Sequence, residues 1–214
     1  MATYGGAVDL IVTELARGDT SITVVIEREF LKAIEYYGAE RFWFNEARSS
    51  FTASNTNYYA LATVFPATAT YDTGFTEIDQ VTVTVNGGVV ELLPETFQEL
   101  NRMDVSGFTG PPSRYAIYGE QMRIYPKPAS GTTYQIDVAG TRRLATLSAS
   151  TESNAWTKEA LNMIAARTEK VISARKFKDY EAAQMYEVAE QQEYDRLQDR
   201  TSRYIGTGKI KAGY

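Results

Sequence analysis

A chain of 214 residues, 43 % hydrophobic and 23 % charged, can bury a sizeable core and has the balance of an ordinary globular protein, one domain or a domain with a large insertion. With a net charge of −5 it shows no folded segment carrying the clustered Lys and Arg excess that phosphate neutralisation demands, which excludes a general nucleic-acid-binding surface. Cysteine and histidine are both absent, which removes thiolate nucleophiles, disulfides, thiolate or imidazole zinc sites and the commonest general base. No apolar run of signal-peptide type follows a basic start, and none approaches the roughly 18 apolar residues that span a bilayer. The expectation is a protein that stays in the cytoplasm where it is made, or leaves it within a larger particle.

In chain order, Val8, Ile11, Val12 and Leu15 fall at i, i+3, i+4 and i+7, the spacing of one helical face. Gly18-Asp19-Thr20 breaks the pattern, and Thr20 or Ser21 can cap a second helix whose stripe is Ile22, Ile26, Phe30, Ala33 and Tyr37. Arg41-Phe42-Trp43-Phe44-Asn45-Glu46 then sets three large aromatics in a polar frame where helix gives way to sheet, and reads as a structural core plug.

From about Arg48 to Arg142 the period falls to two, with frequent Gly, Pro, Asn and Ser. Val81, Val83 and Val85 alternate with Thr82 and Thr84, Asn86-Gly87-Gly88 supplies a tight turn, and Val90 and Leu92 alternate back. Pro94 through Met103 reads as a short helix with Phe97 and Leu100 on the sheet. A second hairpin is expected in Tyr115–Tyr118, Gly119-Glu120 and Gln121–Tyr125, stopped by Pro126 and Pro128. Thr133–Ala139 is a further strand.

Beyond a cap at Ser153 or Asn154, Trp156, Leu161, Ile164, Ala165, Thr168, Val171 and Ile172 restore the helical stripe. A last helix over Asp179–Arg203 starts with Ala182, Met185, Tyr186 and Ala189 on one face, but from Glu190 on offers only Tyr194 and Leu197 among charged and amide side chains. Such a helix bridges solvent or meets a partner. The fold class is therefore α+β: an N-terminal helical pair over 1–47, an inserted antiparallel β domain over 48–152, a C-terminal helical pair over 153–204 completing a bundle, and an extended tail over 205–214.

No catalytic constellation emerges. Gly206-Thr207-Gly208-Lys209 and Gly5-Gly6 lack the spacing and the strand-to-helix setting of a phosphate loop, so the first reads as a flexible tail. Glu181, Glu187, Glu190, Glu193 and Asp195 are interspersed with Lys178, Arg196 and Arg200 as on a solvated or subunit-contacting face, and no histidine exists to complete a carboxylate metal site. Tyr36, Tyr37, Tyr58, Tyr59, Tyr115, Tyr118 and Tyr125 are read as core and subunit-contact residues, since a base-stacking groove needs more positive charge around them. No catalytic residue, cofactor or metal is assigned.

Taken in order, Arg41–Glu46, Leu93-Pro94 with Phe97 and Leu100, Tyr115–Gly119, Ile124–Pro128 and Ser153-Asn154-Ala155-Trp156 make the chain resemble the head-to-tail adaptor (head-completion, or connector) proteins of tailed bacteriophages. The resemblance covers nearly the whole chain, with Val64–Phe75 and the Asn86-Gly87-Gly88 hairpin matched less well. It implies a structural, non-enzymatic virion protein of the neck, made in the host cytoplasm. It implies a homo-oligomeric ring of twelve copies below the portal protein, extending the DNA channel and giving tail or nozzle proteins their platform. DNA would pass without specific binding, and no membrane is involved.

With that resemblance, the polar end of the last helix and the tail become the candidate portal contact: Tyr194, Leu197, Arg200, Arg203, Tyr204, Ile205, Lys209, Ile210, Lys211 and Tyr214. Two other classes stay open at this stage. One is a β module binding carbohydrate or peptide in an aromatic groove; the other is a non-metal hydrolase using Ser or Asp/Glu.

Overall fold

The computed structural model describes residues 3–15, 20–104 and 107–206. The fold is α+β, and the chain divides into two compact units: residues 1–45 with 146–214, and the continuous stretch 46–145.

The first unit is helical. Helix α1 (Tyr4–Glu14) is capped by Thr3, whose hydroxyl accepts from the Gly6 N–H at 3.2 Å. It packs on α2 (Thr20–Tyr37), the Tyr4 ring lying 5.6 Å from Phe30. The α2 stripe is buried as expected, from Ile22 through Ile26, Phe30 and Ala33 to Tyr37. On α1 the buried positions are Tyr4, Ala7, Val8 and Ile11, while Val12 and Leu15 are only half-buried. The break expected at Gly18-Asp19 lies outside the described residues.

Helices α5 (Ala155–Glu159), α6 (Leu161–Ile172) and α7 (Tyr180–Gly206) complete the unit. Asn154 opens α5 with a capping box: its side chain accepts from Trp156 N–H at 2.9 Å, and Thr157 Oγ1 accepts from the Asn154 N–H at 3.2 Å. After α6 a π-helical turn (Ser173–Phe177) ends at Lys178 in the left-handed region, and Asp179 caps α7 by accepting from Ala182 N–H at 3.0 Å.

Helix α7 departs from its apolar pattern. Its buried positions are Ala183, Glu190, Leu197 and Thr201, so packing continues well beyond Ala189. Met185, expected inside, is 71 % exposed. The inner seam holds Ala, Glu, Leu and Thr, which a search for apolar residues passes over. Thr201 is tolerated there because its hydroxyl donates to the Leu197 carbonyl one turn back, at 2.8 Å.

The second unit is two four-stranded sheets sharing one core. The first joins β1 (Glu46–Ser54), β8 (Thr133–Thr141), β3 (Glu77–Val85) and β4 (Gly88–Glu91) in that spatial order, all antiparallel. The second joins β2 (Tyr58–Ala60), β7 (Gln121–Tyr125), β6 (Arg114–Tyr118) and β5 (Leu93–Pro94), with β5 parallel to β6. Short helix α3 (Leu61–Val64) follows β2. Val81, Val83, Ile136 and Val138 of one sheet and Tyr59, Tyr115, Met122 and Ile124 of the other meet in the core, as period-two burial requires. Both expected hairpins form; Asn86 and Gly87 take φ of 51° and 80°, the primed turn that two-residue loops favour.

Pro94, expected to open a helix, instead ends the short strand β5 (Leu93–Pro94), and helix α4 (Phe97–Met103) begins after the Thr96 cap. Arg123, 2 % exposed, pins α4 to the sheet: it bonds Asn101 and donates to Asp104 at 2.7 Å, with Tyr58 and Phe97 rings 5.0 and 5.4 Å from its guanidinium. Arg142 does the same for the Ala- and Thr-rich excursion before β3, donating to the carbonyls of Gly74, Pro66 and Asp72 at 2.9, 2.9 and 2.6 Å. Two buried arginines thus tie these segments to the sheets beside their own core side chains, Leu100 of α4 and Phe65 of the excursion.

Gly140 on β8 lies against the irregularity at Ile78–Gln80 of β3, where a Cβ would run into the Glu77 carbonyl. Gly140→Ala is expected to force the two strands apart and cost about 2–3 kcal/mol in denaturant unfolding.

In the helical unit Glu169 of α6 is almost fully buried beside Glu14 of α1, and Tyr186 of α7, with Asp179 near it, faces the same pair. Burial, then Glu14, pushes the Glu169 carboxyl up from 4.5 to about 9. A folded-state value above the unfolded one means the stability is full below about pH 4.5 and is lost as pH rises toward 9. Glu169→Gln keeps the neutral hydrogen-bonding shape, so thermal melts should show it gaining over the wild type at pH 8.5 and not at pH 4.

Candidate functional site

The Arg41–Glu46 block folds as a 3-10 turn (Trp43–Asn45) that turns its aromatics in different directions. Phe42 is fully buried and Trp156 nearly so; the two rings meet edge-on at 5.7 Å, and Phe44 meets Trp156 at 5.1 Å. Buried Asn45 holds the turn, accepting from Phe42 N–H at 2.9 Å and donating to the Glu40 carbonyl at 2.7 Å. Trp43 corrects the reading of the block as three plugged aromatics. It is half-buried, stacked on Tyr204 of α7 at 5.6 Å and 11°, with the Arg200 guanidinium 4.2 Å from its ring centroid. Arg200 also donates to Glu159 at 3.2 Å. The last turns of α7 are therefore held by Trp43, which the expected polar, unpacked helix end did not include.

About three turns earlier on α7, Glu190 sits inside the bundle, not on the solvated or subunit-contacting face expected for the α7 acids. Tyr37 of α2 donates to its Oε1 at 2.5 Å and Arg167 of α6 at 2.7 Å, while Lys170 pairs with Oε2. Arg167 lies 3.4 Å from the Tyr36 ring centroid. Burial alone would raise the Glu190 pKa, but the bonds from Lys170, Tyr37 and Arg167 outweigh it and hold the carboxyl below its usual range. The adjoining cleft of about 350 Å³ is walled by these paired groups. It does the work of an ionic clamp joining α2, α6 and α7. Sequence spacing could not find it, because its members come from three helices.

The candidate partner residues fall into distinct places. Leu197 is 2 % exposed and faces the bundle, so in the folded chain it offers no surface to a partner. Tyr194 is half-buried, stacked near Tyr37 at 5.9 Å and edge-on to Phe42 at 6.1 Å. Arg200 and Arg203 lie with Gln192, Asp195, Arg196 and Asp199 along a single stripe of α7, and Tyr204 is exposed beyond its stacked face. Lys209, Ile210, Lys211 and Tyr214 lie outside the described residues, as does the side chain of Ile205. Among the described residues no group of three or more acidic side chains is placed to hold a metal ion, and no helix is long and apolar enough to cross a membrane. Of the tyrosines read as core or subunit-contact residues, Tyr37, Tyr59 and Tyr115 are buried, Tyr125 is half-buried, and Tyr36, Tyr58 and Tyr118 are exposed.

Because Trp43 loses one stacked ring and partial burial while Phe42 would leave a cavity, Trp43→Ala is expected to cost about 1–2 kcal/mol and Phe42→Ala about 3–5 kcal/mol. Urea unfolding of the two variants measures the difference.

The sequence model of the family described as SU10 adaptor protein matches residues 2–211. No curated protein sequence matches the chain. Matched over nearly its whole length, the chain belongs to the SU10 adaptor protein family, the structural adaptors of phage.

Proposed function

We propose that the protein forms a ring, of twelve copies, below the portal of a tailed phage, extends the DNA channel and carries the tail attachment platform. The family match over residues 2–211 carries this reading. The chemistry of the chain is consistent with it. At a net charge of −5, a channel-lining surface lets duplex DNA slide past without the counterion release that makes it stick. A closed ring buries one subunit's helix faces against the next and requires no catalysis.

The portal contact is assigned to the end of α7 and the residues that follow. Arg200 and Arg203 place positive charge at the helix C-terminus, where the dipole favours it, and Tyr204 and the downstream Ile205, Ile210 and Tyr214 supply apolar anchors. Lys209 and Lys211 speed docking on an acidic rim, and the apolar anchors set its lifetime. Leu197 is left out of this surface, and Tyr194 acts from within the bundle.

Alone in solution the protein is expected to be monomeric by light scattering and to form rings, seen by electron microscopy, when mixed with portal. Deleting Ile205–Tyr214 should leave the melting temperature within a few degrees of wild type and abolish stable attachment to portal. A stable closed ring without any partner, or undiminished docking of the truncated chain, would contradict the proposal.

A further inference from the structure

The open edge of the first sheet carries an inference beyond the ring. The other edges are blunted. Strand β5 is two residues long and one is proline; β2 is three residues long. The two ends of β1 are tied by side chains, Ser54 N–H donating to the Tyr59 hydroxyl at 3.1 Å and the Tyr71 hydroxyl donating to the Glu46 carbonyl at 3.0 Å. Strand β4, four residues long, has neither a proline nor, among the described residues, a side-chain tie. Its sequence Gly88-Val89-Val90-Glu91 contains no proline or lysine, and every residue is exposed.

Register says which backbone groups are open. Val85 pairs with Gly88 across the two-residue turn, Val83 with Val90, and Leu92 N–H donates to the Val81 carbonyl at 2.9 Å. In an antiparallel ladder these alternate positions bond inward, so the N–H and C=O of Val89 and of Glu91 point out of the sheet. Among the described residues these four groups have no partner. The side chains alternate as well. Val90 lies on the core face beside Val83 yet is 51 % exposed, and Val89, 65 % exposed, shares the outer face with Glu91. Glu91 is in a cross-strand row with Thr82 and Asp137, so the outer face is acidic at this edge.

We infer that β4 accepts an extended segment of another protein as an added strand, with apolar side chains on the Val90 face and Lys or Arg on the Glu91 face. The backbone groups supply the ladder, Val90 supplies the apolar cover, and the Glu91–Asp137 row selects the basic alternation. A second copy presenting its own β4 would bring valines but no cation to that row. This inference rests on the sheet edge and not on the ring or the portal contact.

The test uses the full chain and a fluorescein-labelled peptide, Thr-Lys-Val-Thr-Val-Lys-Thr, followed by fluorescence anisotropy. Saturable binding is expected, falling with salt and with Glu91→Arg. Val89→Pro removes one outward N–H without touching a ladder bond, so it should keep the wild-type melting temperature and lose at least about tenfold in affinity. Val90→Asp is the second variant, removing the apolar cover from a half-exposed position. Absence of saturable binding, or equal binding by wild type and Val89→Pro, would overturn the inference. Concentration-dependent self-association of the free chain that Val89→Pro abolishes would overturn it in favour of a second copy on this edge.

Discussion

The packing of Phe42 and Phe44 on Trp156 is the constraint from which the helical unit takes its shape. Phe42 and Phe44 follow α2 in sequence and Trp156 opens α5, so their contact joins the two chain segments, 1–45 and 146–214, that form one unit around a long insertion. Closing so distant a pair costs loop entropy, and aromatic rings are the side chains that return the most buried area for it. The same turn aims Trp43 at Tyr204, so α7 is held from the outside at its far end by the block that anchors the interior.

Charge plays a second organising role. Glu190, Arg123 and Arg142 are all nearly buried, and each is surrounded by partners from other elements: Tyr37, Arg167 and Lys170 for the first, Asn101 and Asp104 for the second, backbone carbonyls for the third. Removing one partner from such a group is costlier than the group's net contribution, because the remainder is left charged and dry. These clusters specify where helices and loops sit more than they add stability. The Glu190 cluster also helps hold a helix of 27 residues, roughly 40 Å, whose inner seam sets Glu190 and Thr201 beside Ala183 and Leu197.

In the function proposed above, the two units would carry different contacts. The helical unit carries the α7 end proposed to meet the portal, and the β unit carries the exposed β4 edge proposed to take an extended partner. Neither requires a reactive side chain.

Sequence alone determined the elements whose information is local. The α2 stripe from Ile22 to Tyr37, both hairpin turns, the Asn154 cap and the α+β class follow from 3.6- and 2-residue periodicity and from turn residues that only a few backbone shapes accept. The ordered set of motifs from Arg41 to Trp156 also pointed to the adaptor family that the match over residues 2–211 shows. Tertiary structure alone decided the rest. It placed Leu197 and Thr201 inside and Met185 outside, made Trp43 a brace instead of a plug, turned Glu190 from a surface acid into the centre of a clamp, and left β4 uncovered. Each of these depends on which distant element supplies a partner. A polar side chain is inside when a hydrogen-bonding group waits for it there, and periodicity carries no record of that group.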